Sequence, residues 1–481
     1  MFNIKRTNHI IITTVSLLIV GCKVPALNQK QADIQMPSTY SADVVSIADT
    51  LSWGGMSWRQ FFKDPNLIRL IDSALVNNKE LKVTLQEIEI AKNEATFRKS
   101  KIYPRGGINL SSDIEKVGRY TSQGAGDAST EISQGHEVPD PLGNFGIVAS
   151  ASWEVDIWHK LRNAQYASVN NYLATIEGKN FVLSNLIAEI SSSYYELLMF
   201  DNQLAIVDKN ILLQKRALEI VKFQKEAGKV NELAVQKFSS ELLKTESVAY
   251  KIRQNIVEIE NKINFLLGRY LQNIPRDKDG LLKGLPNEIR VGIPSQLLHN
   301  RPDLKEAELE LTAANLDVKV ARAEFFPSLD ISAAIGLEAF KPSYLFKMPE
   351  SMLYSLAGDL FAPIINRAAL KAEFNTANAK QLQSLYNYEQ KVLNAYFEVA
   401  NQMANISNLE KQENKISQQV DILNNSVTIA NELFVNNRAE YLEVLTTQRE
   451  VLDAQLDFLE LKKSQYDAVI KMYKALGGGW K

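Results

Sequence analysis

Cysteine is nearly absent from this chain of 481 residues, with a single residue at position 22. One cysteine cannot form an internal disulfide bond, so packing has to stabilise the fold. Histidine is also rare, and its four residues (His9, His136, His159 and His299) are dispersed without the spacing of metal ligands. Phosphate-binding loops and nucleophile elbows are missing from the sequence too. The sequence therefore predicts no catalytic residue, no cofactor and no metal site, and a protein that is not an enzyme.

An excess of either charge is lacking, since 54 Lys and Arg residues stand against 56 Asp and Glu residues. This balance argues against nucleic acid as a partner. Long apolar runs are lacking as well. One short run lies between Ile10 and Val20, behind Lys5 and Arg6, and it falls below the roughly 20 residues that a spanning helix needs. A basic start followed by a short apolar run is typical of a secretory signal peptide.

The lone cysteine directly follows this apolar run. Ile19-Val20-Gly21-Cys22 resembles the lipobox of bacterial lipoproteins. The resemblance implies that residues 1–21 are a signal peptide and that Cys22 carries the acyl chains that anchor the mature protein. The alternative is a signal peptide beside an incidental cysteine. Residues 22–50 are polar, without an apolar period, and are predicted to form an extended, lipidated tether.

Residues 51–285 are predicted to form a first structural repeat. Apolar residues follow helical spacing from Leu67 to Tyr103, as one helix or as two with a break near Asn77 and Asn78. The period then changes to two, which predicts strands at about 105–118 and 145–158, each with one apolar and one polar face. A helix predicted over 162–225, about 95 Å long at 1.5 Å per residue, reverses at a hairpin tip near Gly228 and returns to about residue 268.

Residues 286–481 repeat this order. A helix from Pro302 to Phe326 precedes predicted strands at about 328–340 and 352–362, and a long helix over 368–435 reverses at a tip near Asn437 and returns to about residue 477. Forty residues separate Gly228 from Gly268, and forty separate Asn437 from Gly477. The chain is therefore predicted to be a duplicated helix-strand-strand-helix-helix repeat, mainly α with transmembrane β.

The four strands have the length and alternation of transmembrane barrel strands. Four strands cannot close a barrel, and an open edge in lipid would leave backbone groups without partners. Two copies would give eight strands and a lumen filled by side chains, whereas three would give twelve strands and room for an aqueous bore. The alternative is a β-sandwich lipoprotein with a coiled-coil stalk.

Specific motifs then follow one another along the chain. They are Trp58–Leu67, Ser152–Trp158, Gly292–Asp303, Ala321–Ser328 and Ala475–Trp480. In this order they resemble the outer-membrane factor family, in particular the TolC-like outer-membrane efflux lipoproteins of resistance-nodulation-division tripartite pumps. The resemblance implies a homotrimer whose 12-stranded β-barrel is continued by an α-helical periplasmic barrel. It also implies an outer-membrane location, lipid-anchored at Cys22, with a large periplasmic portion.

The resemblance further implies partners and sites. The partners would be a periplasmic membrane-fusion adaptor, an inner-membrane resistance-nodulation-division transporter and outer-membrane lipid. Adaptor contacts would lie at the two hairpin tips: Gly228, Lys229, Val230, Asn437 and Arg438. The periplasmic aperture would be narrowed by Leu442, Glu443 and Thr446. Family members place a carboxylate where this chain has Thr446, and Glu443 lies three residues earlier on about the same helix face. The alternative for Glu443 is a solvated surface carboxylate.

The function expected from these patterns is a passive gated conduit that leads from transporter and adaptor across the periplasm and outer membrane. One alternative is the outer-membrane channel of a type I protein secretion system. A second is a non-channel surface lipoprotein with a coiled-coil stalk. The Arg301-Pro302-Asp303 motif is interpreted as structural, because proline suits a first helical turn and Asp303 complements the positive end of the helix.

Overall fold

A computed structural model describes residues 24–27, 29–40, 52–282, 290–365, 367–436 and 438–481. The predicted signal peptide, the lipidation residue Cys22 and the tip residue Asn437 lie outside this range. The helices within it are α1 (Trp58–Phe61), α2 (Pro65–Asn77), α3 (Lys79–Ser100), α4 (Ser122–Asp127), α5 (Lys160–Glu226), α6 (Glu232–Leu266), α7 (Leu297–Asn300), α8 (Pro302–Ala323), α9 (Arg367–Val435) and α10 (Tyr441–Ala475). The strands are β1 (Arg105–Glu115), β2 (Glu131–Ser133), β3 (His136–Glu137), β4 (Leu142–Val155), β5 (Ser328–Ala339) and β6 (Met352–Phe361).

The predicted repeat is present in this order of elements. Two helical segments, α2 and α3, lead into β1 and β4, and α5 and α6 form the first long hairpin. In the second half, α8 leads into β5 and β6, and α9 and α10 form the second hairpin. The two longest helices, α5 and α9, were predicted to within two residues at their starts and one at their ends, because few breakers interrupt their apolar spacing.

Asn78 separates the helical segment before the first strand into two helices. Its side-chain oxygen accepts a hydrogen bond from the Leu81 backbone N–H at 2.8 Å, and its amide donates to the Leu266 carbonyl at 2.8 Å. A buried asparagine that satisfies the first turn of a helix acts as an N-cap. The segment is therefore two helices, which is the second of the two predicted arrangements.

Strand β4 lies about three residues earlier than predicted and ends at Val155. The next residue, Asp156, accepts hydrogen bonds from the backbone N–H groups of Leu161 at 2.9 Å and Arg162 at 3.0 Å. The predicted end of this strand at residue 158 was wrong, because Asp156 lies outside the strand and caps the first turn of α5. Strand β1 also ends before residue 118, at Glu115.

The main sheet has four antiparallel strands in the order β1-β4-β5-β6. Every junction with a long helix lies at one end of the sheet, where Arg105 pairs with Ser152, Val155 with Leu329, and Ser328 with Phe361. The opposite end carries two loops, 116–141 and 340–351. The first of these contains α4 and the small β2–β3 hairpin, which periodicity did not predict.

The chain divides into two compact units. The first contains the sheet and comprises the described residues up to 31 with 90–172 and 309–385. Part of its core is formed by Val318, Ala321, Phe325 and Phe374, against which Val24 packs. The second unit comprises the described residues of 32–89, 173–308 and 386–481. Its helices are held by apolar clusters, one of which joins Val207, Ala249, Ile252 and Leu452.

Candidate channel lining and hairpin tips

The two faces of the four-stranded sheet differ in chemistry. The register aligns Ile108 with Ala149 and Ile335, and Ile335 with Tyr354, so that one face is apolar across all strands. These side chains are not covered in a single chain, since Ile108 is 76% exposed and Tyr354 is 79% exposed. Such a face needs an apolar surrounding.

The other face is mostly polar, and it carries Asn109, Ser111, Asp113, Ser150, Ser152, Ser332, Ser355 and Glu338 among others. Near the helix end of the sheet, Glu154 stands opposite Asp330, and Asp330 stands opposite Asp359. Like charges directly opposite one another disfavour pairing in a dry environment. The row of carboxylates therefore fits a face in contact with water.

Lys160 offsets part of this negative charge. Its ammonium group bonds to the Glu154 carboxylate and lies 3.6 Å from the Glu324 carboxylate. Burial disfavours the charged form of Lys160, but the bonds to Glu154 and the charge of Glu324 outweigh burial and raise the pKa of the ammonium group. A cavity of about 400 Å³ adjoins this pair and is also lined by Arg98, Arg105, Asp330 and Asp359.

The sheet has two edges within the described residues. Strand β1 pairs there only with β4, and β6 pairs only with β5. The outer backbone groups of both edge strands therefore lack a partner in a single chain. An uncovered edge beside an apolar face cannot lie in lipid, because unpaired backbone groups cost several kcal/mol each there.

The long helices also carry apolar side chains that a single copy leaves uncovered. Leu243, Tyr250 and Val257 repeat every seven residues along α6 and are 63%, 71% and 46% exposed. Ile422 and Ile429 show the same spacing on α9 and are exposed as well. Apolar residues at seven-residue intervals are the pattern of a seam between packed helices.

The first hairpin tip closes around Gly228. This residue has a φ of +72°, the Gly228 N–H donates to the Lys225 carbonyl at 2.9 Å, and the Lys229 N–H donates to the Gln224 carbonyl at 2.8 Å. These two bonds form the Schellman motif that ends many helices. Asn231 then caps α6 by accepting a bond from the Ala234 N–H at 3.1 Å. Gly228 and Lys229 are exposed and Val230 is half-buried.

The second tip uses the corresponding backbone bond. The Arg438 N–H donates to the Leu433 carbonyl at 2.8 Å, in the same spacing as the bond between Lys229 and Gln224. The same bond is found where α6 and α10 end. The Arg269 N–H donates to the Asn264 carbonyl at 3.1 Å, and the Gly478 N–H donates to the Tyr473 carbonyl at 3.0 Å. The forty-residue spacing in the sequence therefore corresponds to matching helix ends. Arg438 is exposed.

The two tips are brought together by an apolar cluster, which we call the tip cluster. Its buried members are Leu218, Val221, Ala234, Phe238, Leu242 and Leu445, and Val230, Phe434 and Tyr441 pack against it. Because Leu445 belongs to α10 and the other buried members to α5 and α6, the start of α10 is fixed against the first hairpin. The sequence did not predict this contact.

The predicted aperture residues lie on the first two turns of α10. Leu442 and Glu443 are exposed and Thr446 is half-buried, whereas Val444 and Leu445 between them are buried. Leu442, Glu443 and Thr446 thus lie on the side of the helix that the tip cluster leaves uncovered. Glu443 lies in the first helical turn, where a negative charge is favourable. It forms no ion pair within the described part of the chain.

Arg276, which the sequence analysis did not identify, joins α5 and α6 at the end of the first hairpin away from its tip. We call this end the root of the hairpin. Arg276 donates to both oxygens of Asp201 on α5, at 2.5 and 3.2 Å, and to Glu260 on α6 at 2.5 Å. Its side chain is 12% exposed and that of Asp201 is 3% exposed. Burial opposes the charge on Arg276, but its bonds to Asp201 and Glu260 outweigh burial and raise its pKa.

Arg301 has a similar structural role in the second repeat. It donates to both oxygens of Asp303, at 3.0 and 2.7 Å, to Glu398 at 2.6 Å and to the Ala475 carbonyl at 3.1 Å. The start of α8 is thereby tied to α9 and to the end of α10. This supports the structural interpretation of the Arg301-Pro302-Asp303 motif.

The described part of the predicted tether has no helix or strand and is held by hydrogen bonds at several points. Arg322 donates to the Pro25 carbonyl at 3.0 Å, and Gln29 donates to the Asn315 carbonyl at 2.6 Å. Gln381 donates to the Lys30 carbonyl at 3.0 Å. The contacts of Val24 and Pro25 place this segment beside the end of α8 at Ala323, five residues before β5 begins at Ser328.

Within the described ranges, no helix is long and apolar enough to cross a membrane. No group of three or more His, Cys, Asp or Glu side chains with a metal-binding arrangement was found among the same residues.

Comparison with known proteins gives a consistent assignment. The profile of the outer membrane efflux protein family matches residues 70–269 and 293–478. The probable outer membrane lipoprotein SilC of Salmonella typhimurium is 29% identical over 485 residues, covering 100% of both chains. The cation efflux system protein CusC of Escherichia coli K12 is 29% identical over 469 residues, covering 97% of this chain and 98% of CusC.

Solved structures show the same fold. A crystal structure of CusC superimposes with a TM-score of 0.80 at 26% identity, covering 95% of this chain and 99% of that one. The arrangement of helices and strands is thus that of the TolC-like channels, in agreement with the predicted fold class.

Proposed function

The chain belongs to the outer membrane efflux protein family and is an outer-membrane channel of an efflux pump with a large periplasmic portion, and we propose that it works as a homotrimer. In this assembly the four strands of each copy contribute to one 12-stranded barrel. The long hairpins of the three copies continue the barrel as a helical tube in the periplasm. The protein is a passive conduit in this proposal, with no catalytic step.

The observation that carries the proposal is the sheet with two unpaired edges. Pairing of β6 of one copy with β1 of the next satisfies the backbone of both edges at once. The apolar face then meets lipid, and the polar face with Glu154, Asp330 and Asp359 lines the bore. Twelve strands leave room for water, whereas eight strands would be filled by their own side chains.

The exposed seven-residue seams on α6 and α9 support the helical tube. Polar residues flank each seam, so the seam does not suit lipid, and its apolar side chains do not suit water. A neighbouring helix would bury these side chains. In the proposed trimer, Leu243, Tyr250 and Val257 of one copy would pack against a helix of the next copy. The threefold symmetry that closes the barrel would also bring these helices together.

We further propose that the hairpin tips contact a periplasmic membrane-fusion adaptor coupled to an inner-membrane resistance-nodulation-division transporter. Gly228, Lys229, Arg438 and the flanking Val230 and Asn437 form the contact surface in this proposal. The exposed tip backbone around Gly228 leaves room for a partner, since beyond its two chain neighbours no atom of the described residues lies within 4 Å of the position that a Cβ would take. Lys229 and Arg438 would favour an acidic partner surface.

The aperture is proposed to lie at the start of α10, where Leu442, Glu443 and Thr446 project from the uncovered side. Three copies would bring three Glu443 carboxylates near one axis. Because the tip cluster fixes Leu445 beside the first hairpin, opening would require the two hairpins to separate at this cluster. Lipidation at Cys22 would hold each copy at the membrane, and the position of Val24 beside the strand-helix junction is compatible with it.

Conductance of the purified full chain in planar lipid bilayers tests the conduit. We expect discrete channels of low resting conductance in the wild type and higher resting conductance in Glu443→Ala, because a ring of bulky carboxylates is removed from the aperture. Glu226→Ala, at an exposed acid on the first hairpin, is the control and should conduct like the wild type. Unchanged current in Glu443→Ala would remove Glu443 from the aperture, and absence of channels in every variant would refute the conduit.

A further inference from the structure

The loop between β5 and β6, residues 340–351, is an ordered structure with an uncovered apolar tip. Phe346 and Met348 are 71% and 65% exposed, although Leu345 between strand and tip is buried. Turn bonds fix the backbone, from the Tyr344 N–H to the Lys341 carbonyl at 3.0 Å and from the Lys347 N–H to the Tyr344 carbonyl at 3.0 Å. The exposure therefore belongs to a defined conformation.

Two lysines accompany these apolar side chains. Lys347 Nζ lies 4.3 Å from the ring centre of Tyr344, and Lys341 Nζ lies 6.0 Å from that of Phe340. The two rings pack edge to face, with their centres 5.2 Å apart. Neither lysine has an ion-pair partner within the described chain, and Glu350 is the one acid of the loop. The loop thus presents two exposed ammonium groups, each near an aromatic ring, beside an apolar surface.

The position of the loop relates it to the lipid-facing surface. It lies at the end of the sheet opposite the helices and leads directly into Met352 and Tyr354, which stand on the apolar face of β6. A surface that combines exposed apolar side chains with lysines at the rim of an apolar belt matches a lipid, whose acyl chains and anionic headgroup lie at these two levels.

We propose that the 340–351 loop binds anionic lipid in the leaflet at that end of the barrel, with Lys341 and Lys347 on headgroup phosphates and Phe346 and Met348 among the acyl chains. The inference rests on the proposed function, because the membrane position of the sheet sets the level of the loop. Each lysine contributes a charge-assisted contact to phosphate oxygen, and the aromatic rings beneath them restrict the ammonium groups.

Native mass spectrometry of the full-length oligomer in neutral detergent tests the inference. We expect phosphatidic acid to bind more tightly than phosphatidylcholine, and Lys341→Gln with Lys347→Gln to weaken phosphatidic acid binding by about fivefold for each lysine. Lys222→Gln with Lys237→Gln removes two exposed lysines from α5 and α6 and should leave binding unchanged. Phe346→Ser should weaken the binding of both lipids. Inorganic phosphate should not displace the bound lipid.

Equal affinity of the wild type for both lipids would overturn the inference, as would an equal loss in the helix control or displacement of the lipid by inorganic phosphate. Dissociation of the oligomer of the loop variant in neutral detergent would instead assign the loop to a contact between copies and would also overturn it. Conductance of the same preparations separates this outcome from failure of the proposed function. Channels without lipid discrimination refute only the loop assignment.

Discussion

Arg276 is the side chain on which the root of the first hairpin depends. Its partners Asp201 and Glu260 stand 75 and 16 residues away in sequence. No local spacing could have predicted that these three groups meet, because the contact depends on where the chain returns after α6. Buried ionic contacts of this kind are set by tertiary structure and leave no periodic signal.

Substitution of Arg276 should destabilise the protein strongly. Arg276→Ala leaves the Asp201 carboxylate buried with Lys278, at 3.8 Å, as its one remaining ion-pair partner among the described residues. We expect a loss of about 3 kcal/mol in the free energy of unfolding. Arg276→Lys should recover part of it, since one ammonium cannot reproduce the two-pronged contact. Denaturant unfolding of the full chain measures both.

The matched control is Arg253→Ala. Arg253 pairs with Asp208 at 3.1 Å, and both side chains are 48% exposed, so its removal should cost less than about 1 kcal/mol. Equal losses at Arg253 and Arg276 would contradict the structural role of the buried contact.

The contacts of Glu413 in the second hairpin should make the stability of the fold depend on pH. Burial opposes its ionisation, but hydrogen bonds from Lys462 and from Gln465, the latter at 2.7 Å, outweigh burial and lower the pKa of the carboxyl below its ordinary value. A carboxylate with a lowered pKa in the folded state stabilises the fold above its unfolded pKa. That contribution is therefore lost as the pH falls through and below about 4.

Unfolding midpoints of wild type and Glu413→Gln between pH 3 and 7 test this effect. The wild type should lose stability relative to the variant as the pH falls, because only the wild type has this carboxylate to protonate. Parallel curves for the two proteins would show that the Glu413–Lys462 contact contributes nothing measurable.

At the scale of elements, the long helices and four strands were predictable because each repeats one simple period over many residues. The first helical tip was predictable from Gly228, whose φ is +72°, whereas Asn437 of the second tip lies outside the described residues. The 116–141 loop was not, because α4 and β2–β3 are too short for periodicity to appear. The end of β4 was misplaced since Asp156 continues the polar alternation while acting as a helix cap.

The glycine caps give a graded test of these turns. Gly228→Ala should lower the free energy of unfolding by about 1–2 kcal/mol, because its φ is +72°. The added methyl group would enter open space, so we expect no further steric cost. Gly268→Ala should cost more, since φ is +64° and the new Cβ would lie 2.4 Å from the Asn77 carbonyl oxygen. Gly228→Asn should be milder than Gly228→Ala, because asparagine tolerates the left-handed region.

Gly126→Ala is the control for this series. Gly126 lies in α4, has no positive φ and has no atom within 4 Å of an added Cβ, so its substitution should be neutral or slightly stabilising. Thermal unfolding should rank the losses as Gly268→Ala, Gly228→Ala and then Gly126→Ala. Any other order would contradict the cap geometry.

For the whole molecule, the sequence predicted the duplicated fold and the need for several copies, because four half-polar strands cannot stand alone in lipid. The number three came from the family resemblance and not from periodicity. The contact of Leu445 with the first hairpin and the fastening of the tether were not predictable, since both join segments that are far apart in sequence.

In the proposed trimer, β6 of one copy pairs with β1 of the next until three copies close a ring. Apart from Cys22, the chain has no cysteine, so introduced thiols report this contact selectively. Ser111→Cys on β1 can be combined in turn with Ser355→Cys or Ala357→Cys on β6, all on the polar face. Ala151→Cys with Ala333→Cys, which are paired between β4 and β5, is the intramolecular control.

Oxidation of the membrane-inserted protein followed by denaturing electrophoresis is the most direct measurement. We predict that an edge pair gives a ladder of one, two and three linked chains that ends at three, whereas the Ala151–Ala333 control stays at one. A ladder that ends at two or continues beyond three, or no linkage from any edge pair, would contradict the trimeric barrel.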